Sequence, residues 1–306
     1  FATISGDHPL NLTVSGVGVF QSEPHPYTGR YPCGSAMING TWYYGTYALD
    51  DLNGDCGNWC VQGPFVGFRY SQDYGTSWVE PRVRMRGYND TLFGEHARGP
   101  ADKVKFGAPH VVDFGKNMKN SPDGKMYIVG HGASVKTEPQ SWMQGSEVYI
   151  ARVIPTWEHI NNRDSWEFFS ATDGWTNSLE AATPIVHWAN RTGVVTMTYL
   201  PAAGRYIMCV STPSVSPSTV GTFDSYFLES AAITGPFRYV SYLRRFGEQA
   251  YFLNIPSKFA SSSPDADQAV GAYLSYSANF ARSRQLASNP PGGGYWWTLS
   301  AIRFVP

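Results

Sequence analysis

Apolar residues in this chain recur at alternate positions and almost never at the three-to-four spacing of a helix. A strand points successive side chains to opposite faces, so alternation of this kind restricts the chain to half-buried β-structure. Four groups of strand-like runs can be read. The first holds Ser35–Ile38, Thr41–Leu49, Phe65–Tyr70 and Trp78–Met85. A second holds Ala108–Phe114, Lys125–His131, Glu147–Pro155 and Trp166–Ser170. The third holds Val194–Leu200, Arg205–Ser211, Tyr226–Ser230 and Phe237–Leu243. The last holds Ala250–Phe259, Val270–Ser277 and Trp297–Val305.

Each group spans roughly 50–65 residues, the size of one four-stranded antiparallel sheet with decorated loops. The predicted class is therefore all-β, a single domain over 1–306 built as a five-bladed β-propeller, with four to seven blades also compatible. The last group lacks a strand that Leu12–Phe20 would supply, so one blade joins both termini and leaves no open sheet edge. Residues 171–193 would contribute to a further blade. A β-sandwich of similar strand content is the alternative architecture.

One octapeptide sharpens this reading. Residues 71–78 run Ser-Gln-Asp-Tyr-Gly-Thr-Ser-Trp, the Asp-box pattern S-x-D-x-G-x-[ST]-W. Asp73 can accept from the backbone N–H groups of its own turn, Gly75 supplies a positive φ, and Trp78 packs beneath the neighbouring strand. The motif is a structural staple and carries no chemistry itself.

With 306 residues and a formal net charge of −1, the chain offers no electrostatic case for nucleic acid or an anionic membrane. No run of about 18 apolar residues is present to span a bilayer. Charged residues make up 15% and aromatic residues another 15%, including 10 Trp and 19 Tyr. That balance suits a β-rich protein with aromatic packing, and sugar-binding enzymes often share it. Sequons at Asn11, Asn39, Asn89 and Asn190, in excess of chance, point to an extracellular glycoprotein. No signal peptide is visible, and Phe1 reads as a processed or engineered start. Cys56 and Cys60 stand close enough to staple a loop as a disulfide, whereas Cys33 and Cys209 read as buried thiols or a second bridge.

Three segments carry candidate chemistry. Phe106–Phe114 contributes His110 and Asp113. Phe246–Lys258 places Glu248, Gln249, Asn254 and Lys258 in and around an apolar strand, which is costly unless they are paired or face a solvent-filled funnel. Thr46–Asp51 ends a strand with Asp50 and Asp51 at the base of the loop holding Cys56 and Cys60; Asp-Asp before Asn-Gly is also ordinary turn chemistry.

Two stretches resemble the sialidase superfamily: Arg30-Tyr31-Pro32 followed by Asn39-Gly40-Thr41, and Gly67-Phe68-Arg69-Tyr70-Ser71 leading into the octapeptide. That resemblance implies that Arg30 grips a substrate carboxylate. Only one such octapeptide occurs and no Tyr/Glu nucleophile pair can be placed, which separates the chain from true sialidases. Glu147–Val153, Trp166–Phe169, Val194–Tyr199, Arg205–Met208 and Gly235–Phe237 are similar to the five-bladed clan of furanosidases and xylosidases and to arabinanase-like propellers. The clan implies glycoside hydrolysis by acidic residues from different blades: Asp51 or Asp50 as base, Asp113 as the residue tuning a pKa, and Glu180 or Glu248 as acid. Arg30, Asp50, Glu180, Gln249, Asn254 and Lys258 would contact a plant or microbial polysaccharide.

A second chemistry is β-elimination at a uronate by His110, His131 and Arg30, with a histidine as base and arginine and histidine neutralising the carboxylate. A third reading is a non-catalytic glycan binder that stacks sugars on Trp42, Trp59, Trp142 or Trp175. No organic cofactor is implied, since no glycine-rich phosphate loop occurs; an axial calcium or sodium ion would be the one addition. The carbohydrate is the expected partner, and a monomer the expected state.

Overall fold

The structure, a computed structural model, describes residues 3–9, 11–15, 29–49, 63–79, 91–95, 103–135, 137–138, 140–214, 222–246, 250–261, 270–278 and 296–304. Its strands are β1 (Thr3–Ser5), β2 (Thr13–Ser15), β3 (Gly29–Ile38), β4 (Thr41–Leu49), β5 (Phe65–Ser71), β6 (Gly107–Val111), β7 (Met126–Gly132), β8 (Gly145–Val153) and β9 (Glu167–Ser170). There follow β10 (Gly174–Thr176), β11 (Val186–Thr192), β12 (Val194–Leu200), β13 (Arg205–Pro213), β14 (Phe223–Ser230), β15 (Arg238–Leu243), β16 (Tyr251–Asn254), β17 (Val270–Ala278) and β18 (Trp296–Phe304). One helical turn, α1 (Trp157–Ile160), and three short 3-10 turns complete the described elements.

The chain is all-β, and its sheets are antiparallel meanders of sequence neighbours. The first sheet runs β3-β4-β5, the second β6-β7-β8-β9-β10, the third β12-β13-β14-β15 and the fourth β16-β17-β18. These correspond to the four groups of alternating runs. Two segments go elsewhere than expected. Residues 171–193 start no further sheet: β10 pairs with β9, and β11 pairs with β8. The reason is the nine-residue length of β8, whose outer edge is shared. Its Ala151 and Arg152 pair with β9, which leaves Gly145–Val148 for β11. At the N-terminus β2 pairs with β1 as a two-stranded ribbon, where a strand of the last sheet was anticipated; residues 16–20 of that run lie outside the described part.

The anticipated strand Ala250–Phe259 also breaks after Asn254. Asn254 Oδ1 accepts the Ile255 N–H at 2.8 Å, and Pro256, which has no N–H to give a ladder, leads into the 3-10 turn Ser257–Phe259.

The first strands of the four sheets succeed one another. β3 approaches β6 so closely that a Cβ on Gly34 would lie 2.4 Å from the Val111 nitrogen. The end of β6 pairs in parallel with β12 through Asp113 N–H to Met197 O and Tyr199 N–H to Asp113 O, both 2.9 Å. In turn β12 reaches β16 through the Thr196 hydroxyl, which donates to the Leu253 carbonyl. Between the first and second sheets lies an aromatic core in which the Phe93 ring meets Phe65, Phe106, Trp166 and Phe168 at centroid distances of 5.0–5.6 Å. Such edge-to-face pairs add about 0.5–1.5 kcal/mol each beyond the area they bury.

The Ser71–Trp78 octapeptide folds as its residue types require. The Ser71 hydroxyl donates to Asp73 Oδ1 at 2.7 Å and accepts the Gly75 N–H at 2.8 Å. The Ser77 N–H and hydroxyl reach the two Asp73 oxygens at 2.8 and 2.6 Å. Gly75 takes φ 90°, and Trp78 packs on Trp42 with centroids 5.1 Å apart. Beyond it the expected fourth run of the first group begins with a single bridge, Tyr70 to Val79, and its residues 80–85 lie outside the described part.

Cys33 and Cys209 are buried, and burial pushes the Cys209 thiol up to about 12. Cys56 and Cys60 lie outside the described residues, as does Asn89. The sequon residues Asn11, Asn39 and Asn190 are exposed.

Candidate active site

At the leading ends of the inner strands, side chains from three sheets converge on a line of rings. In β6 a register shift between Gly107 and His110 re-aims the histidine. Its ring lies 5.0 Å from that of Phe252 in β16. Trp142, from the β7–β8 connection, stacks on Phe252 at 6.4 Å and 23°. Tyr47 of β4 is held next to Trp142 by Gly63: a Cβ there would lie 2.6 Å from the Tyr47 ring and 3.6 Å from Trp142 Cβ. Tyr31 of β3 stacks on Tyr47 at 5.7 Å.

Trp142 and Tyr47 are buried, whereas Tyr31, Phe252 and His110 keep part of their surface open. Burial pulls the His110 ring down to about 4, and the neighbouring His131 works in the same direction, so the imidazole is neutral at ordinary pH. The Ala108 and Val195 backbones lie close to it, yet Nδ1 has no hydrogen-bond partner of good geometry. A buried ring nitrogen without a partner costs free energy unless a ligand or water meets it. The partly open rings of Tyr31, Phe252 and His110 offer apolar faces on which a molecule could stack.

The remaining candidates separate by place. His131 is fully buried; its Nε2 lies 2.8 Å from the Ser141 carbonyl, burial pulls it down to about 4, and it is closed off from any substrate. Asp113 is engaged inside the fold. Its Oδ1 accepts the Gly115 N–H (2.8 Å) and the Ser257 hydroxyl (2.6 Å), and its Oδ2 accepts the Ser257 N–H (2.8 Å), which ties β6 to the 3-10 turn after β16. Asn254 accepts from Thr198 and Ile255. Lys258 is half-exposed beside Asp7, and the Glu180 side chain is exposed.

Arg30 pairs through its backbone with Ala48 in β4. Asp50, Asp51, Glu248 and Gln249 lie outside the described residues; in sequence they adjoin Leu49 at the end of β4 and Ala250 just before β16. Of the tryptophans, Trp42 packs on Trp78 and donates to Ser35, and Trp175 lies under the Arg152 guanidinium at 4.1 Å. Only Trp142 joins the ring line among the described tryptophans, and Trp59 lies outside the described part.

Sequence reasoning passed over Tyr47 and Phe252, although both sit inside segments singled out for their polar residues. Their position two residues from a strand end was the available signal. It also passed over two buried carboxyl groups and a partly buried lysine. Glu95 accepts the N–H groups of Lys105 and Phe106 at 2.5 and 3.0 Å, and burial nevertheless pushes its carboxyl up to about 7. Glu147 takes hydroxyls from Ser134 (2.7 Å) and Tyr149 (2.6 Å). The Lys105 ammonium donates to the carbonyls of Leu179, Glu180 and Ala182 at 2.9–3.0 Å. These groups are satisfied inside the fold. Among the described residues, no group of three or more His, Cys, Asp or Glu gathers as a metal site.

No family model and no curated protein matches the chain. Among solved structures it is similar to a beta-fructofuranosidase from Schwanniomyces occidentalis, at 14% identity and a TM-score of 0.48 over 92% of this chain and 45% of that one. A family 117 glycoside hydrolase from Zobellia galactanivorans gives 12% identity and a TM-score of 0.48, with 95% of this chain and 66% of that one covered. An exo-1,5-alpha-L-arabinanase from a bovine ruminal metagenomic library gives 11% and 0.48, with 99% and 85% covered. The chain thus spans less than two thirds of the length of the first two.

Proposed function

We propose that the chain is an extracellular glycoside hydrolase on a five-bladed propeller, acting on a plant or microbial polysaccharide at the mouth where β3, β6 and β16 begin. The observation that carries this reading is the line of rings ending at His110. Rings of this kind bind the C–H faces of a sugar while a nearby polar group takes a hydroxyl. The Ser71–Trp78 turn, bonded as an Asp box would be, and the succession of inner strands support the propeller. The exposed sequons support secretion.

In this reading Asp51, with Asp50 beside it, supplies the base and Glu248 the acid, because the described neighbours of both segments, Tyr47 and Phe252, belong to the ring line. Asp113 fixes the strand that carries His110. Elimination at a uronate is disfavoured by the histidines: held near 4, both imidazoles are weak bases, and His131 is closed off from any substrate. The test is release of reducing ends from a panel of neutral plant and microbial polysaccharides. D51N and E248Q should each lower kcat by about 10²–10⁴-fold, and H110A should raise KM. Absence of hydrolysis across the panel, unimpaired activity in both carboxyl variants, or the ultraviolet absorbance of unsaturated uronates would overturn it.

A further inference from the structure

The ring line is held from behind by a side chain that no substrate reaches. His131, near the end of β7, is 0% exposed. Its backbone pairs with Gly107, where β6 begins to depart from regular register on the way to His110. The approach is close: a Cβ on Gly107 would lie 3.3 Å from His131 Nε2 and 3.0 Å from its carbonyl oxygen. The next residue, Ala108, takes φ 40°, a conformation that a residue with a Cβ seldom adopts, and gives its N–H to the Gly63 carbonyl at 2.9 Å. Gly63 is the residue that seats Tyr47 beside Trp142.

His131 Nε2 also reaches the Ser141 carbonyl at 2.8 Å. A carbonyl only accepts, so the neutral ring carries its hydrogen on Nε2 and a lone pair on Nδ1. Nδ1 finds no donor. Ser141 opens the tight turn that carries Trp142. Its N–H donates to the Gln144 carbonyl at 2.9 Å, and the Gln144 N–H returns to the Ser141 carbonyl at 3.3 Å. The turn thus closes by itself, and that carbonyl stays bonded without the histidine. What His131 adds is direction, since a second donor fixes where the carbonyl, and the indole one residue on, can point. A buried imidazole with one nitrogen unpaired is a costly filler, and an aliphatic side chain would occupy the space without that cost. The Nε2 bond is what an aliphatic residue lacks.

We propose that His131 is a positioning residue for the ring line, holding the Trp142 turn through Ser141 and the β6 bulge before His110 through Gly107. Its effect on substrate rests on the hydrolase reading, whereas its placement of Trp142 does not. The test uses the whole chain labelled with fluorotryptophan, the Trp142 fluorine NMR signal being identified by its loss in W142F. H131Q puts an amide donor where Nε2 stands, H131N stops short at the Nδ1 position, and H131L offers no donor. The Trp142 signal should keep its place in H131Q and shift or broaden in H131N and H131L, while signals of tryptophans outside the turn hold. On a polysaccharide that wild type cleaves, H131N and H131L should raise KM about tenfold with kcat within about twofold, and H131Q should restore KM. Should H131L fail to fold, the contrast between H131Q and H131N decides the same question. A Trp142 signal unmoved in H131L and H131N, or displaced equally in H131Q, would overturn the proposal. So would a displaced signal with KM unchanged, which would make the turn mere scaffold. If no polysaccharide is cleaved, the hydrolase reading alone falls, and the fluorine signals still decide whether His131 places Trp142.

Discussion

Two aspartates of this chain make nearly the same bonds and teach opposite lessons. Asp73 takes the hydroxyls of Ser71 and Ser77 and the N–H of Ser77, all within four residues. Asp113 takes the hydroxyl and N–H of Ser257, 144 residues away, together with the N–H of Gly115. The first shapes a turn on the rim of one sheet. The second joins the inner strand of one sheet to the first turn of another, so its loss is felt by the packing of whole sheets. Glu95 stands between them, accepting from Lys105 and Phe106 ten and eleven residues on.

The largest effect should come from breaking the long tether. Asp113→Ala removes three charge-assisted bonds and leaves Ser257 without its acceptor, a loss of about 4 kcal/mol. Ser257→Ala alone should cost about 1–2 kcal/mol. Chemical denaturation of both single variants and the double variant should show a combined loss smaller than the sum. An additive result would mean that the two sheets are held together by something else.

Glu95 should give the next effect, visible in pH. Its folded carboxyl is raised from the ordinary 4.5 to about 7. The folded state therefore holds the proton more tightly, and stability from this group falls as pH rises from about 4.5 to about 7, by about 3 kcal/mol in total. His110 and His131, lowered from 6.5 to about 4, act oppositely: their contribution is lost as pH falls through that range. The Glu95 part is thus read as the difference between the stability curves of wild type and Glu95→Gln. Parallel curves across this range would show that Glu95 is solvated.

Asp73 should give the smallest effect. Bonds from Ser77, and then from Ser71, hold its carboxyl down to about 2 from 3.8. Its contribution is complete above about pH 4 and fades as pH falls through 2. Asp73→Asn should remove that acid dependence and speed protease cleavage near residues 71–79, with little change in the global midpoint. A drop comparable to that of Asp113→Ala would erase the distinction between the two aspartates.

The same distinction governs what could be read before any coordinates. The capping by Asp73 and the positive φ of Gly75 were legible because both belong to one octapeptide, whereas the hydroxyl bonds of Ser71 and Ser77 were not foreseen. The four meanders were legible because alternation and spacing are local. The return of β10 and β11 to the second sheet was not, since it depends on β8 being long enough to offer a free half-edge. At the candidate site, His110 stood out as a polar residue in an apolar strand. Asp113 stood out for the same reason, yet sequence carries no sign that Ser257 would engage it. Tyr47 and Phe252 were hidden by their ordinariness, since an aromatic residue in a strand usually signals packing. What makes them notable is that strands 200 residues apart deliver them to one line.

The Lys105 ammonium gathers three carbonyls from a single bend of chain, the arrangement in which a loop elsewhere would wrap an ion. Here the charge is carried on a side chain. The fastening by Lys105 accordingly cannot be stripped by a chelator or diluted away; chemistry on that amine, such as acetylation, would remove it and leave the bend to its own Ala182 N–H to Leu179 carbonyl bond.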